Sequence, residues 1–95
     1  MKILITGGCG FLGTNLSNFF LKKNNEVFII DSLVRKGSDI NLSWLKNLTN
    51  HKNLNFFQID IKNKNKIENI FEVNGPFDYI CHVAGQVAMT TSLKD

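Results

Sequence analysis

Four glycines stand in seven residues near the start of this chain, in the run MKILITGGCGFLGTNL. Glycine loses more backbone freedom on folding than any other residue and weakens helices and strands alike, so such a density needs a structural reason. Lys2 to Thr6 is short, apolar and rich in β-branched residues, which reads as a buried strand. From Phe11 to Lys23 the residues Leu12, Leu16, Phe19 and Phe20 recur at i, i+4, i+7 and i+8, one face of a helix. Gly7, Gly8, Gly10 and Gly13 therefore join a strand to a helix. A sharp turn of that kind needs positive φ, a helix lying close on its sheet, and a main chain that a ligand can approach where no Cβ intervenes.

The same alternation continues along the chain. Asn24-Asn25 is a turn signal, and Glu26 to Asp31 (EVFIID) reads as a second buried strand ending in a carboxylate. After a polar loop, DINLSWLKNL puts Ile40, Trp44, Leu45 and Leu48 at helical spacing, with Ser38 or Asp39 as its cap. Asn53 to Asp60 gives a third strand, and a Lys/Asn-rich helix follows with Ile67, Ile70 and Phe71 as its apolar stripe. Gly75-Pro76 breaks the chain before a fourth strand, Phe77 to Val83. The order β-α-β-α-β-α-β predicts an α/β fold of the Rossmann type: a parallel sheet of strand order 3-2-1-4 with helices on both faces.

This context gives the glycine spacing its meaning. Gly8-x-Gly10-x-x-Gly13 follows a strand, opens a helix and is succeeded by Asp31 at the end of the second strand, the pattern of a dinucleotide-binding turn. Gly7 and Gly10, with the amides of Phe11, Leu12 and Gly13, are the expected cradle for a pyrophosphate, favoured by the helix dipole. Asp31 can accept hydrogen bonds from ribose hydroxyls and would repel a 2′-phosphate, so NAD is favoured over NADP. Ser32 and Arg35 lie in the loop beyond it; Arg35 and Lys36 leave NADP as the lesser alternative. Asp60, followed by Ile61, ends strand three where it could reach an adenine edge. Ala84, Gly85 and Gln86, with His82 before them, follow strand four, and small residues there let a cofactor lie against the backbone.

At 95 residues the chain has room for one small domain or part of a larger one. Its 20% charged residues and net charge of +3 are dispersed, with no basic block of the kind a nucleic-acid face uses. No apolar run approaches the roughly 20 residues of a membrane span, and no secretory leader is evident, so the cytoplasm is the expected compartment. Cys9 and Cys81 form no CxxC and no metal-binding spacing with histidine; both read as small buried side chains, in a reducing compartment. His82 has no nucleophile and orienting partner to make it a catalytic base, and Trp44 reads as helix-to-sheet packing.

Taken together, ITGGCGFLG, the loop DSLVRKG, the segment QIDI and the run HVAGQVAMTTS resemble the extended short-chain dehydrogenase/reductase family. The likeness covers the whole chain and is to the N-terminal part of the family's NAD-dependent nucleotide-sugar epimerases and dehydratases. GGCGFLGTNL, RKGSDINLSWL and HVAGQVAMTTS are most similar to members acting on CDP-linked dideoxyhexoses. That resemblance implies a cytoplasmic, homo-oligomeric isomerase holding NAD, acting on a CDP-linked or other nucleotide sugar, with no nucleic-acid or membrane partner. It implies transient hydride removal at sugar C2 and return to the other face. The family's catalytic Tyr-x-x-x-Lys pair has no counterpart here, because the single tyrosine, Tyr79, has Val83 four residues later. Residues 1–95 are therefore expected to form the N-terminal part of one NAD-binding domain, with no catalytic or metal-ligating residue. Strand four is expected to stand as a bare edge, with Thr90, Thr91 and Ser92 opening a helix.

Overall fold

The computed structural model describes residues 1–48, 51–84 and 87–92. In chain order it contains β1 (Lys2–Thr6), α1 (Phe11–Lys22), β2 (Glu26–Asp31), α2 (Ser38–Lys46), a 3-10 turn (His51–Asn53), β3 (Leu54–Gln58), α3 (Lys64–Asn74), β4 (Tyr79–Ala84) and β5 (Val87–Ser92). The sheet runs β3-β2-β1-β4-β5, with the first four strands parallel. The chain leaves β1 toward β2 and β3, then crosses back to place β4 on the other side of β1. Such a reversal opens a crevice at the carboxyl ends of β1 and β4.

Alternate residues of β1 and β2 enter two cores, because both faces of a parallel sheet are covered. Ile3, Ile5, Val27, Ile29 and Cys81 pack with Leu21 of α1 and with Leu42 and Leu45 of α2. Leu4, Phe28 and Ile30 pack on the opposite face with Ile70 of α3 and with Phe77. Phe77 precedes β4 rather than opening it, and its ring meets Phe28 and Phe71 edge-on at 5.2 and 5.4 Å. Ile67 joins this second core as expected, while Phe71 lies at its margin.

The helix faces differ from the apolar stripes in two instructive ways. In α1 the buried residues are Gly13, Thr14, Ser17 and Leu21; Leu16 and Phe20 pack beside them, and Leu12 and Phe19 are exposed. Small residues face the sheet because the helix lies too close for large ones. Ser17 and Thr14 satisfy their hydroxyls on the carbonyls of Gly13 (2.8 Å) and Gly10 (2.5 Å), which makes their burial affordable. In α2 the inward face is Ser38, Leu42 and Leu45, at i, i+4 and i+7. Ile40 and Trp44 lie around the helix from that face and are 70% and 48% exposed, so Trp44 is not helix-to-sheet packing. Neither Ser38 nor Asp39 caps α2; Gly37 does, at φ 89°, while the Ser38 hydroxyl donates to the Arg35 carbonyl at 2.7 Å.

The segment after β4 is a strand and not the expected helix start. Thr90, Thr91 and Ser92 belong to β5, antiparallel to β4 from Tyr79↔Ser92 to Ala84↔Val87, so β4 is not a bare edge. Val87, Thr90 and Thr91 are β-branched and suit a strand, and pairing satisfies the N–H and C=O groups that an open β4 would expose. Among the described residues no helix is long and apolar enough to cross a membrane.

Candidate functional site

The glycines of the first turn divide into those the fold requires and one it does not. Gly7 has φ 73° and donates its N–H to the Ile30 carbonyl at 2.8 Å; a Cβ there would strike the Val83 carbonyl. A Cβ on Gly8 would come within 2.5 Å of Ile29 Cγ2, and one on Gly13 within 2.6 Å of Gly8 Cα. Gly10 is different. Its backbone is extended (φ −77°, ψ 177°), and an added Cβ would meet nothing nearer than the Gly7 carbonyl oxygen at 3.6 Å. Its bare side faces open space.

Cys9 fixes the middle of the turn. Its side chain is fully buried in the first core, its N–H donates to Asp31 Oδ2 at 3.0 Å, and its carbonyl accepts from Asn41 Nδ2 at 2.8 Å. Burial, followed by the charge of Asp31, pushes its thiol up to about 12. At about pH 8 only roughly one molecule in ten thousand would carry the thiolate, the form that reacts. Iodoacetamide at that pH is expected to leave Cys9 and the equally buried Cys81 intact in the folded chain and to alkylate both in urea, read by mass. Rapid labelling of Cys9 without denaturant would contradict this account of the turn.

Above the turn lies a cleft of about 540 Å³ at the carboxyl ends of the parallel strands, within the range of small-molecule sites. Thr6 lines it from the end of β1 and Gly7 from the turn after it, Ile30 and Asp31 from β2 with Ser32 just beyond, and His82 and Val83 from β4. Ile59, Asp60 and Ile61 line it from the loop after β3, which ends at Gln58, so Asp60 follows the strand and does not end it. Gly10, Phe11 and Leu12 border it from the start of α1. That helix begins with no capping side chain and no acidic residue in its first turn, so the amides of Phe11, Leu12 and Gly13 keep the unmatched donors of a helix start.

Asp31 carries structural work as well as exposure to the cleft. Oδ2 accepts from Cys9 N, and Oδ1 accepts from Leu33 N at 2.8 Å, where Leu33 has φ 62°. Each carboxylate oxygen offers two lone pairs, so acceptor capacity remains on both. Asp60 similarly accepts from Lys62 N at 2.9 Å while bordering the cleft. Thr6 Oγ1 and His82 Nδ1 lie 2.6 Å apart across the β1–β4 pairing. Phe11 and Val34, 85% and 84% exposed, add apolar surface to the same opening.

Of the residues expected from sequence, Gly7, Gly10, Phe11, Leu12, Asp31, Ser32, Arg35, Asp60 and Ile61 come together around this one cleft. Gly13 lies beneath the turn rather than in the cleft, Ala84 ends β4, and Gly85 and Gln86 lie outside the described residues. Thr6, Ile30, Val34, Ser38, Ile59 and Val83 also line the cleft and were not anticipated. The strand-end residues among them were legible from the rule that open α/β sheets bind ligands there. Val34 could have been flagged as an isolated apolar residue in a polar loop.

The GDP-mannose 4,6 dehydratase family model matches residues 4–95. The chain belongs to this family. Within the GDP-mannose 4,6 dehydratase family and its relatives, it is 48% identical over 95 residues to CDP-paratose 2-epimerase of Salmonella typhi, covering 100% of this chain and 27% of that protein. It is 36% identical over 93 residues to a probable dTDP-glucose 4,6-dehydratase of Sinorhizobium fredii, covering 98% and 25%. A solved dTDP-glucose 4,6-dehydratase from Bacillus anthracis in complex with NAD matches with a TM-score of 0.77 at 26% identity, over 90% of this chain and 27% of that one. The chain thus spans about a quarter of the length of the curated relatives it matches. The expected Rossmann fold and kinship with nucleotide-sugar epimerases and dehydratases both hold.

Proposed function

We propose that residues 1–95 form the NAD-binding part of a nucleotide-sugar epimerase similar to CDP-paratose 2-epimerase. The observation that carries this reading is Gly10: the fold has no need for a bare Cα there, and its open side borders a cleft shared with Asp31 and an uncapped helix start. A pyrophosphate seated at that point would use the space and the donors together. In this reading Gly7 and Gly10, with the amides of Phe11, Leu12 and Gly13, hold the phosphates. Asp31, Ser32 and Arg35 hold the adenosine ribose, Asp60 and Ile61 border the adenine, and Ala84, Gly85 and Gln86 are taken from the sequence as the further residues against which the cofactor lies. When bound, NAD would supply a hydride acceptor for a sugar carbon and return the hydride afterwards. This chain's residues bind and orient it; Tyr79, with Val83 four positions on, gives no Tyr-x-x-x-Lys pair within the 95 residues.

Calorimetry with NAD and NADP tests the assignment. NAD is expected to bind more tightly than NADP, because the Asp31 carboxylate opposes a 2′-phosphate. Asp31→Ala is expected to lower NAD affinity and also to destabilise the chain by about 1–3 kcal/mol, since Cys9 N and Leu33 N both lose their acceptor. A folded Asp31→Ala chain with undiminished NAD affinity would remove Asp31 from the site.

A second reading, a nucleotide-sugar 4,6-dehydratase, is favoured by the matching family's description and by the 36% identity to the Sinorhizobium protein. Product analysis of the complete protein on CDP-linked and dTDP-linked sugars separates the two. An epimerised sugar supports the first, and loss of water supports the second.

A further inference from the structure

We infer that Asn41 is a positioning residue for the phosphate-binding turn, acting through the peptide between Cys9 and Gly10 without touching a ligand; the inference rests on the NAD-binding reading above. Asn41 stands in α2, its backbone N–H bonded to the Gly37 carbonyl at 3.1 Å, and its side-chain amide reaches across 32 residues of sequence to the Cys9 carbonyl at 2.8 Å. A peptide unit is planar, so the Cys9 carbonyl and the Gly10 N–H share one rigid plate. That plate is held at both ends: Asn41 Nδ2 donates to its oxygen, and its N–H donates to the Gly7 carbonyl at 3.2 Å. The preceding peptide is held by Cys9 N donating to Asp31 Oδ2. The direction of the Gly10 Cα and of the α1 amides after it is therefore set by three side chains: Asp31, Asn41 and Thr14, whose hydroxyl lies against the Gly8 and Gly10 carbonyls on either side of the plate.

Packing of α2 does not depend on Asn41. Leu42 and Leu45 bury the helix in the first core, whereas Asn41 is only partly buried and belongs to neither core. Loss of its amide would leave α2 seated and the Cys9 carbonyl, on a fully buried residue, without this donor. A carbonyl in that position reorients toward another donor or water, tilting the plate that carries Gly10. Meanwhile the loop bearing Ser32 and Arg35, which line the same cleft, leads directly into this helix, whose first residue, Ser38, also borders the cleft.

The test compares adenosine, ADP and NAD on the 95-residue chain and on Asn41→Ala, with adenosine followed by amide chemical shifts and the others by calorimetry. Asn41→Ala is expected to weaken ADP and NAD about tenfold, the worth of one hydrogen bond, and to leave adenosine within about twofold. Asn41→Gln keeps an amide donor and suits a helix, and is expected to restore ADP affinity to within about threefold. Equal losses for all three ligands, no loss for any, or a Gln variant as weak as the Ala variant would each overturn the positioning role. A folded parent chain that binds neither ADP nor NAD would overturn the NAD-binding reading itself, and this inference with it.

Discussion

Gly13→Ala is expected to cost the chain about 3 kcal/mol or more of stability, enough to broaden or abolish its cooperative unfolding transition. Two effects oppose each other at this position. Alanine in place of glycine inside a helix gains about 1 kcal/mol from propensity. Against that, the new methyl would lie 2.6 Å from Gly8 Cα and 2.9 Å from the Gly7 carbonyl carbon, roughly an ångström inside comfortable carbon contact. Both obstacles are backbone, and neither can swing aside. Gly7 is held by the Ile30 carbonyl and by φ 73°, and Gly8 is wedged on Ile29. The helix must therefore lift from the turn, loosening the contacts of Ser17 and Leu21 with the sheet, and overpacking of this sort exceeds the propensity gain. A domain this small has a modest reserve of stability to lose. Urea unfolding followed by circular dichroism decides the matter: a Gly13→Ala midpoint equal to the parent's would show that α1 can shift freely over the turn.

How much of this architecture could be read beforehand depended on which force set each element. β1 and β2 were legible because a strand buried on both faces is an unbroken apolar run, and Ile3-Leu4-Ile5 and Val27-Phe28-Ile29-Ile30 are too short, and too closely bounded by turn residues, for a helix. The face of α1 was not, since apolar periodicity points to large side chains while close approach to the sheet selects Gly13, Thr14 and Ser17. Trp44 misled for a related reason: its size suggests burial, but a nine-residue helix with Leu42 and Leu45 already facing inward has no room on that side. β5 escaped notice because Thr90-Thr91-Ser92 suits a helix start as well as a strand, and only the pairing partner, β4, decides between them. At the site, strand ends and glycine spacing located the cleft. The double duty of Asp31 and the reach of Asn41 to Cys9 could not be seen, because each depends on contacts more than 20 residues apart in sequence.

Gly10→Ser is expected to do the opposite of Gly13→Ala: hold or raise stability while weakening NAD about 100-fold. The backbone at Gly10 is extended, which any residue adopts, and the space around its Cα is open to 3.6 Å. Gly10 is also the N-cap of α1, where no side chain now accepts from the first-turn amides. A serine hydroxyl there would accept from one of them and add a few tenths of a kcal/mol. The same hydroxyl would occupy the approach to the turn and take a donor that a phosphate needs, and a loss near 2.7 kcal/mol corresponds to the hundredfold drop. Gly10→Ala separates the two contributions, since a methyl fills the space without competing for the amide; its affinity should fall between those of parent and Ser variant, with stability close to the parent's. Thermal melts and calorimetry on the three chains read both quantities. If Gly10→Ser binds NAD as the parent does, the open side of Gly10 is not where the phosphates sit. If it unfolds well below the parent, the turn needs glycine there for its own packing, and the distinction between Gly10 and its three neighbours fails.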